Sequence, residues 1–551
     1  MNVSEKSLQS LGASALLLIS ATFIALPVLA LLARSLFDRS GAFVGLDNFA
    51  AYLQTPSLLD SLWRSVRLSV VSAAITTALA FTYAYALTMS AMPGKRWFKA
   101  LALVPLLAPS LLMAISLVYL FGNQGLLKNL VGGSIYGEPG IVLGSVLWTF
   151  PHALLMLVVT LSTTDGRTIE AARTLGASNW RIFTSVTLPA SRYGLLMAFT
   201  VVFVLVITDF GVPKVIGGQA NVLATDLYKQ VVGQQNFSMG AVVSVMLLLP
   251  AVGAFAAERF LRARQSAALG LKASVHLPEP HRLRDAALLI FCLAVAGALL
   301  VVIGVAVFAS VATYWPYNLA PSLKNYNFDQ MDGGGWVTYW NSLRLAFFTA
   351  LVGSAAAFVT AWMVDKPRHA PALREALNFV VTLPLAVPGL ALGLGYILFF
   401  NHPSNPLHSL YATMTILVLC TVVHFFSVAH LTMLTALRQL DREYELVAES
   451  LGVPFWKTIL RVHLPVCLPA LLEVAGFFFV NAMTTVSAVV FLYSPSTQLA
   501  SVAVLNMDDA GDVAPAAAMA VLIFLTAALA RGVFALLSAA LLRRTQQWRQ
   551  R

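Results

Sequence analysis

Residues 170–189 read EAARTLGASNWRIFTSVTLP, and residues 446–465 read LVAESLGVPFWKTILRVHLP. Six identical residues of these polar stretches coincide at a constant offset of 276 residues (452 minus 176): Ala172/Ala448, Leu175/Leu451, Gly176/Gly452, Trp180/Trp456, Leu188/Leu464 and Pro189/Pro465. The offset is about half of the 551-residue chain. The sequence therefore predicts two copies of one unit, each presenting the same loop.

The composition is that of a membrane protein. Hydrophobic residues make up 59% of the chain, charged residues only 11%, and the mean hydropathy is +0.80, whereas a soluble domain carries about 25% charged residues. Apolar stretches of about 20 residues, enough to cross a bilayer, recur at 11–34, 65–90, 100–121, 140–163, 193–213, 238–260, 286–310, 342–364, 376–400, 411–435, 468–493 and 514–541. We predict an all-α integral membrane protein with about twelve transmembrane helices. The first stretch is too long for a cleavable signal peptide, so we interpret it as an anchor.

The spans divide into two repeats of six. We assign residues 1–262 to the first repeat, 263–285 to a polar linker and 286–551 to the second repeat. An even number of spans makes the repeats parallel, so the first loop (165–190) and the second loop (441–466) face the same side. Ser65-Val66-Arg67-Leu68 and Ser342-Leu343-Arg344-Leu345 are a further matched pair.

The distribution of basic residues predicts the orientation. Most Lys and Arg residues fall in segments on the same side as the N-terminus, which the positive-inside rule assigns to the cytoplasm. Both termini are then cytoplasmic. The net charge of +11 is divided among short loops, which disfavours nucleic-acid binding because that needs a continuous patch.

Two proline pairs occupy matched positions in the third span of each half, Pro105 with Pro109 and Pro384 with Pro388. Prolines four residues apart remove helix hydrogen bonds and bend the span. A gated helix and an ordinary kinked helix both fit this pattern.

Each loop is predicted to be a pair of helices. An acidic helical turn leads to Gly176 or Gly452, where a left-handed residue can end one helix; a short amphipathic helix follows, and Pro189 or Pro465 is expected to end it. Such a helix pair suits docking of a partner. The alternative is a surface helix that lies on lipid head groups.

These residues resemble a known family. Glu170-Ala171-Ala172, Gly176 and Leu188-Pro189 are similar to the EAA loop of permease subunits of bacterial ABC importers, in which the loop is a coupling helix that docks on the ATP-hydrolysing subunit. The resemblance covers essentially the whole chain and is closest to fused, double-length permeases for ferric iron or 2-aminoethylphosphonate. Residues 208–213 (TDFGVP) and 483–491 (MTTVSAVVF) are similar to the phosphonate branch.

The resemblance implies a set of ATPase-coupling residues. They are Glu170, Ala171, Ala172, Gly176 and Pro189 in the first loop, and Ala448, Glu449, Gly452 and Pro465 in the second. The second loop departs from the family pattern, because Leu446 and Val447 stand where the family has Glu and Ala. Unequal docking sites are expected.

The implied partners lie outside this chain. The lone Gly-Lys pair, Gly94-Lys95, is followed by Arg96 and is no phosphate-binding loop. We therefore expect no cofactor in this chain, with ATP and Mg²⁺ bound by a cytoplasmic ABC ATPase in two copies. A periplasmic substrate-binding protein and a location in the bacterial inner membrane complete the expectation.

Candidates for the translocation path are Asp209, Thr484, Thr485 and Ser487, placed in the fifth span of each half. An intramembrane carboxylate is a functional candidate by default, but Asp209 could instead pair with a hydroxyl or with Lys214, and the hydroxyls could join helices. His152, His424 and His430 are interpreted as packed or hydrogen-bonded. Neither they nor the three cysteines suggest a metal site.

The sequence thus favours the permease of an ATP-driven importer that works by alternating access. The resemblance alone implies 2-aminoethylphosphonate as the preferred solute and ferric iron as the alternative, and other small anions or polyamines stay open. A secondary transporter or channel would share the spans but has no use for two matched loops. A membrane enzyme would need a polar catalytic cluster, which the sequence does not show.

Overall fold

The computed structural model describes residues 3–130, 133–268, 278–367 and 369–545, and these are predominantly helical. The first half contains α1 (Val3–Ser20), α2 (Leu26–Arg34), α3 (Asp47–Gln54), α4 (Pro56–Met89), α5 (Lys95–Leu103), α6 (Ser110–Phe121), α7 (Glu138–Ser162), α8 (Gly166–Thr174), α9 (Asn179–Ile182), α10 (Leu188–Thr208), α11 (Gly211–Ile216), α12 (Leu223–Tyr228) and α13 (Phe237–Ala268).

The second half follows the same general order with fewer separate helices. It contains α14 (Arg282–Val311), α15 (Trp336–Asp365), α16 (Pro371–Thr382), α17 (Gly389–Phe400), α18 (Met414–Arg438), α19 (Glu443–Ser450), α20 (Phe455–Thr458), α21 (Leu464–Thr484), α22 (Ala500–Ala510) and α23 (Val513–Thr545). A small antiparallel hairpin of β1 (Ala312–Tyr314) and β2 (Asn318–Pro321) follows α14. Turns of π-helix lie at Ala21–Ala25, Phe183–Thr187, Lys229–Gly233 and Ile459–His463.

The number of membrane crossings agrees with the prediction. Among the described residues, ten helices are long and apolar enough to span a bilayer. Two further helix pairs pass the same test together but are sharply bent, Lys95–Leu107 with Ser110–Phe121 by 101° and Pro371–Ala386 with Gly389–Phe400 by 116°.

Helix directions show that each bent pair is a complete crossing. Arg64 near the start of α4 contacts Glu138 at the start of α7, and Thr76 in the middle of α4 contacts Thr149 in the middle of α7. These two helices therefore run in the same direction, so the chain between them must return across the bundle. The same holds for α15 and α18, because Thr360 contacts His430 and Asp365 contacts Arg438. Within the described residues the chain therefore makes twelve crossings, six in each half.

The predicted proline bends are present. In both halves a short 3₁₀ turn, Val104–Leu107 or Leu383–Ala386, carries the first proline, and the second proline directly precedes the next helix. Proline removes a helix hydrogen bond and clashes with the preceding turn, so neither span continues straight.

The first span of each half packs against the other half. The Tyr396 hydroxyl on α17 donates a 2.8 Å hydrogen bond to the Phe23 carbonyl, and a Cβ at Gly395 would lie 2.6 Å from the Pro27 carbonyl oxygen. Reciprocally, the Trp315 indole beyond α14 donates to the Gln124 carbonyl at 3.2 Å and meets the Tyr119 ring edge-on. This exchange joins the halves into one body.

Two boundaries differ from the predictions. The fifth spans, expected at 193–213 and 468–493, are continuous helices over Asn179–Thr208 and Phe455–Thr484. The expected linker 263–285 is helical at both ends, since α13 extends to Ala268 and α14 begins at Arg282. Its middle, residues 269–277, lies outside the described residues.

Candidate functional site

The two loops have the same backbone. Helix α8 or α19 is followed by a left-handed glycine, Gly176 (φ +77°) or Gly452 (φ +64°), as predicted. A second helix then begins at Asn179 or Phe455. In the first loop, Asp165 and Ser178 cap the two helices by accepting hydrogen bonds from the Arg167 and Arg181 amides.

Both loops lie at one end of the bundle, here called the loop end, and expose large apolar side chains. Leu175 and Trp180 are 87% and 72% exposed, and their matched residues Leu451 and Trp456 are 72% and 50% exposed. The predicted coupling residues Glu170, Ala171, Gly176, Pro189, Glu449 and Gly452 are also exposed, while Ala172, Ala448 and Pro465 are half-buried. Exposed apolar side chains at matched positions are typical of a docking surface.

The prolines do not end the second helix of either loop, which corrects the sequence-based expectation. A π-helical turn, Phe183–Thr187 or Ile459–His463, directly precedes Leu188-Pro189 or Leu464-Pro465, and the helix continues. In a π turn each carbonyl pairs five residues on, and the wider turn accommodates proline without a break.

Each fifth span is therefore a rod that begins in a loop. It runs for 30 residues, from Asn179 to Thr208 or from Phe455 to Thr484, about 45 Å at 1.5 Å per residue. The rod thereby connects each loop directly with the residues at its other end.

A cavity of about 290 Å³ lies between the halves where these rods end. The proline bends of both third spans line it, together with the ends of both fifth spans. All four candidate path residues, Asp209, Thr484, Thr485 and Ser487, are in its wall. Their placement in the fifth spans is corrected for three of them, because the helices end at Thr208 and Thr484.

Asp209 joins two of the elements around the cavity. Its carboxylate accepts a 2.9 Å hydrogen bond from the Ser110 hydroxyl and another of 2.9 Å from the Val212 amide. It thereby caps α11 and ties it to the bend of the third span. Lys214, the other partner considered, instead forms a 2.8 Å ion pair with Asp509.

Serine and glycine exchange places between the halves of the cavity. A Cβ at Gly211 would collide with the Ser110 hydroxyl, and a Cβ at Gly389 would collide with the Ser487 hydroxyl. Gly389 and Ser110 occupy equivalent positions, because each directly follows the second proline of its pair. Ser487 and Gly211 are also equivalent, because they lie two residues after the matched residues Thr485 and Asp209. In each half one glycine makes room for one hydroxyl.

The histidines have separate surroundings. His152 and His424 line the cavity, whereas His430 contacts the Thr360 hydroxyl at 3.1 Å and the Asn378 side-chain oxygen at 3.2 Å. In the part of the chain that the structure describes, no group of three or more His, Cys, Asp or Glu side chains could hold a metal ion.

The halves also touch on the side of the cavity away from the loops, here called the far end. The Lys214–Asp509 ion pair crosses between them, and the rings of Tyr228 and Phe491 stack at 6.2 Å. Lys214 also lies 5.4 Å above the Tyr228 ring. These contacts hold the far end together.

One feature of the second loop was missed from the sequence. Glu445, next to the atypical Leu446, contacts Lys366 at 3.1 Å and His463 at 3.0 Å. The three residues are far apart in the chain, and only the unusual position of Glu445 beside Leu446 could have drawn attention to it.

Twelve crossings, two matched loops and a cavity between pseudo-equivalent halves define a multi-pass membrane transport protein. Residues 89–266 and 353–543, more than half of the chain, match the family described as binding-protein-dependent transport system inner membrane component. The chain belongs to this family: it is an ABC importer permease subunit of the inner membrane, and the family is one of transport proteins, not enzymes.

Individual relatives are distant but cover most of the chain. Permease protein FbpB 1 of Haemophilus influenzae, whose name assigns it provisionally to a ferric transport system, is 26% identical over 87% of this chain and 77% of its own length. Permease protein y4fN of Sinorhizobium fredii, whose name gives no substrate, is 23% identical over 92% of this chain and 91% of its own. The thiamine transport system permease ThiP of Salmonella typhimurium is 23% identical over 73% and 75%.

Proposed function

We propose that two copies of a cytoplasmic ABC ATPase dock on the first and second loops, and that a periplasmic substrate-binding protein docks at the far end. The observation that carries this proposal is the matched pair of exposed surfaces, Leu175 with Trp180 and Leu451 with Trp456. A two-fold motor needs two equivalent contacts on one side of the membrane. ATP and Mg²⁺ are bound by that partner.

The loop end is the cytoplasmic end, and both termini belong to it. The described chain starts near this end, because Gly12 packs against Met363 close to the end of α15. It also returns there along α23. Arg173, Arg181, Lys366 and Lys457 lie at this end, as the positive-inside rule requires.

Transport follows alternating access. Closure of the ATPase dimer moves the two loops, and the continuous rods Asn179–Thr208 and Phe455–Thr484 carry that movement to the cavity. The far-end contacts of Lys214 with Asp509 and of Tyr228 with Phe491 then separate, and the cavity opens to the binding protein. The solute afterwards leaves towards the cytoplasm.

The solute is 2-aminoethylphosphonate. The similarity of residues 208–213 and 483–491 to the phosphonate branch supports this choice. The cavity offers the Asp209 carboxylate for an ammonium group, and the hydroxyls of Thr484, Thr485 and Ser487 as hydrogen-bond donors for phosphonate oxygens. Ferric iron is the second candidate, favoured by the name of the relative from Haemophilus influenzae.

Reconstituted vesicles test both the function and the solute. Vesicles that contain the permease, its ATPase and its binding protein are expected to accumulate labelled 2-aminoethylphosphonate only when ATP is present on the ATPase side. Uptake of ferric iron in its place would overturn the choice of solute. Uphill transport without the ATPase would overturn the importer mechanism itself.

A further inference from the structure

The two loops are anchored to their spans by different chemistry. In the second loop, Oε1 of Glu445 on α19 lies 3.1 Å from Lys366 Nζ and 3.0 Å from His463 Nε2. Lys366 directly follows α15, and His463 directly precedes α21. One carboxylate therefore connects the loop to the second and fifth spans of its half.

The hydrogen bonds fix the state of His463. The Trp362 indole N–H donates to Nδ1 of His463 at 3.0 Å, so Nδ1 carries no proton. The proton of the neutral ring is then on Nε2, which donates to Glu445. The hydrogen bonds therefore run in one direction, from Trp362 to His463 to Glu445, and the buried ammonium group of Lys366 also contacts Glu445.

Burial makes this network strong. The side chains of His463 and Lys366 are 1% and 4% exposed. A buried ammonium group is stable only beside a counter-charge, and Lys366 has Glu445 at 3.1 Å and Asp365 at 3.6 Å. Hydrogen bonds to a charged partner are shorter and stronger than neutral ones.

The first loop has none of these polar groups at the matched positions. The loop offset of 276 places Ile169 opposite Glu445 and Thr187 opposite His463. The second spans are related by an offset of 277, which matches Ser65 with Ser342 and places Met89 opposite Lys366. Ile169 and Thr187 are both buried, with 3% of their surface exposed. Ile169, Thr187 and Met89 carry no charge, so the first loop has no ion pair to its own spans at these positions. Its ion pair of 2.8 Å, Arg173 with Glu279, leads instead to the segment before α14. The second loop is held to its own spans by directed, charge-assisted bonds.

We propose that Glu445 is the positioning residue that transmits the movement of the second loop to α15 and α21. The loop lacks the usual glutamate at Leu446, and Glu445, one residue earlier, fixes the loop internally through Lys366 and His463. This inference rests on the proposed function, because it takes the loop as the contact with the ATPase. It assigns unequal mechanical roles to the two loops.

The test compares two glutamates on the same helix. Glu445→Gln removes the charge with little change of shape, and Glu443→Gln makes the same change at an exposed position of α19. Both are assembled with ATPase and binding protein in vesicles, and the solute imported per ATP hydrolysed is measured. We expect this ratio to fall about tenfold in Glu445→Gln, as befits loss of a charge-assisted bond. Basal ATP hydrolysis and the Glu443→Gln variant should stay at the wild-type level.

A second readout needs no partner. A nitroxide label at Leu451→Cys, on the exposed tip of the second loop, reports the mobility of the loop in the isolated permease. Mobility is expected to rise with Glu445→Gln and to stay unchanged with Glu443→Gln. If Glu445→Gln does not fold, the double variant Lys366→Met/Glu445→Ile installs the first-half pair and leaves no unpaired charge. It should fold, restore a rigid loop and transport.

The outcomes separate this inference from the proposed function. A wild-type complex without ATP-dependent uptake contradicts the proposed function, whatever the variants do. A transporting wild type with an unchanged import ratio and unchanged label mobility in Glu445→Gln contradicts only the role of Glu445.

Discussion

Ser65 and Ser342 occupy equivalent positions in the two halves and make the same hydrogen bond. The hydroxyl of Ser65 on α4 accepts from the Leu223 amide at 2.8 Å, and that of Ser342 on α15 accepts from the Ala500 amide at 2.8 Å. Both amides belong to the first residue of a short helix, α12 or α22, where the helix itself provides no acceptor. The duplication therefore extends to single hydrogen bonds.

Replacing either serine with alanine is expected to destabilise the protein by about 1 kcal/mol, because each change leaves a buried amide without its acceptor. The measurement is thermal unfolding in detergent. Ser40→Ala, at an exposed position, serves as the control and should have little effect. A large loss in one half and none in the other would contradict the equivalence of the two bonds.

The sequence predicted the parts of the fold that depend on local chemistry. These parts are the twelve apolar stretches, the two proline pairs and the two left-handed glycines. Each could be predicted from a few neighbouring residues, because apolar length, the amide proton that proline lacks and the Cβ that glycine lacks act on the adjacent backbone. All of them are present in the structure.

The rest depends on contacts between distant residues or on backbone variants with weak signals. The π turns before Pro189 and Pro465 carry no motif, so the continuous rods were predicted as broken helices. The Lys366–Glu445–His463 network joins residues about 80 and 18 positions apart, and the position of Glu445 beside Leu446 is the one local hint of it. The four candidate path residues were named from the sequence, but the fifth spans were predicted to end later in the chain than they do.

The left-handed glycines provide a test of the loops. Gly176→Val and Gly452→Val force a β-branched residue into a left-handed conformation, at a cost of about 1–3 kcal/mol each, although a Cβ at either position would meet open space. We expect ATP-dependent uptake to be lost while the spans stay folded, as judged by circular dichroism.

Asparagine and helical glycine give the matched controls. Gly452→Asn should retain transport, because Asn tolerates the left-handed region. Gly253→Ala, within α13 and with open space around the added Cβ, should also transport normally. Normal uptake by the double Gly→Val variant would argue against a role of the loop geometry in coupling.

The Lys214–Asp509 ion pair is expected to hold the far end closed. Lys214→Gln and Asp509→Asn should each favour the state that is open at this end, by at most about 1 kcal/mol because the pair is partly exposed. A rise of basal ATP hydrolysis by a few-fold is the expected readout, since opening of the far end accompanies closure of the ATPase dimer. The charge exchange Lys214→Asp/Asp509→Lys should return the rate of ATP hydrolysis towards the wild-type value. If the effects of the two single changes simply add in the double variant, the ion pair does not hold the far end closed.

Glu445 predicts a specific pH dependence of stability. Although burial acts in the opposite direction, hydrogen bonds from His463 and Lys366 lower the pKa of Glu445 to about 2, below the value of about 4.3 for an unfolded chain. Because the folded pKa is the lower one, the stabilisation is fully present above the unfolded pKa and is lost as the pH falls from about 4.3 towards 2. The difference in unfolding free energy between wild type and Glu445→Gln should be about 2 kcal/mol at neutral pH and should shrink in this window. A difference that does not change with pH would contradict the ionised state of Glu445.

The exchange of serine and glycine around the cavity can be tested by transplanting one half into the other. Gly211→Ser alone places a side chain against the Ser110 hydroxyl, where even a Cβ has no room, and is expected to cost about 1–3 kcal/mol as overpacking. The double variant Ser110→Gly/Gly211→Ser reproduces the arrangement of Gly389 and Ser487 and should recover most of that loss. Recovery should be incomplete, because Asp209 loses the 2.9 Å hydrogen bond from Ser110, whereas Thr485 at the matched position carries no charge that needs one.

Thermal unfolding of the two single variants and the double variant gives the coupling energy directly. If the losses of stability in the single variants simply add in the double variant, the side chains at positions 110 and 211 do not compete for the same space. The two halves of the cavity wall would then resemble each other in backbone but not in side-chain packing.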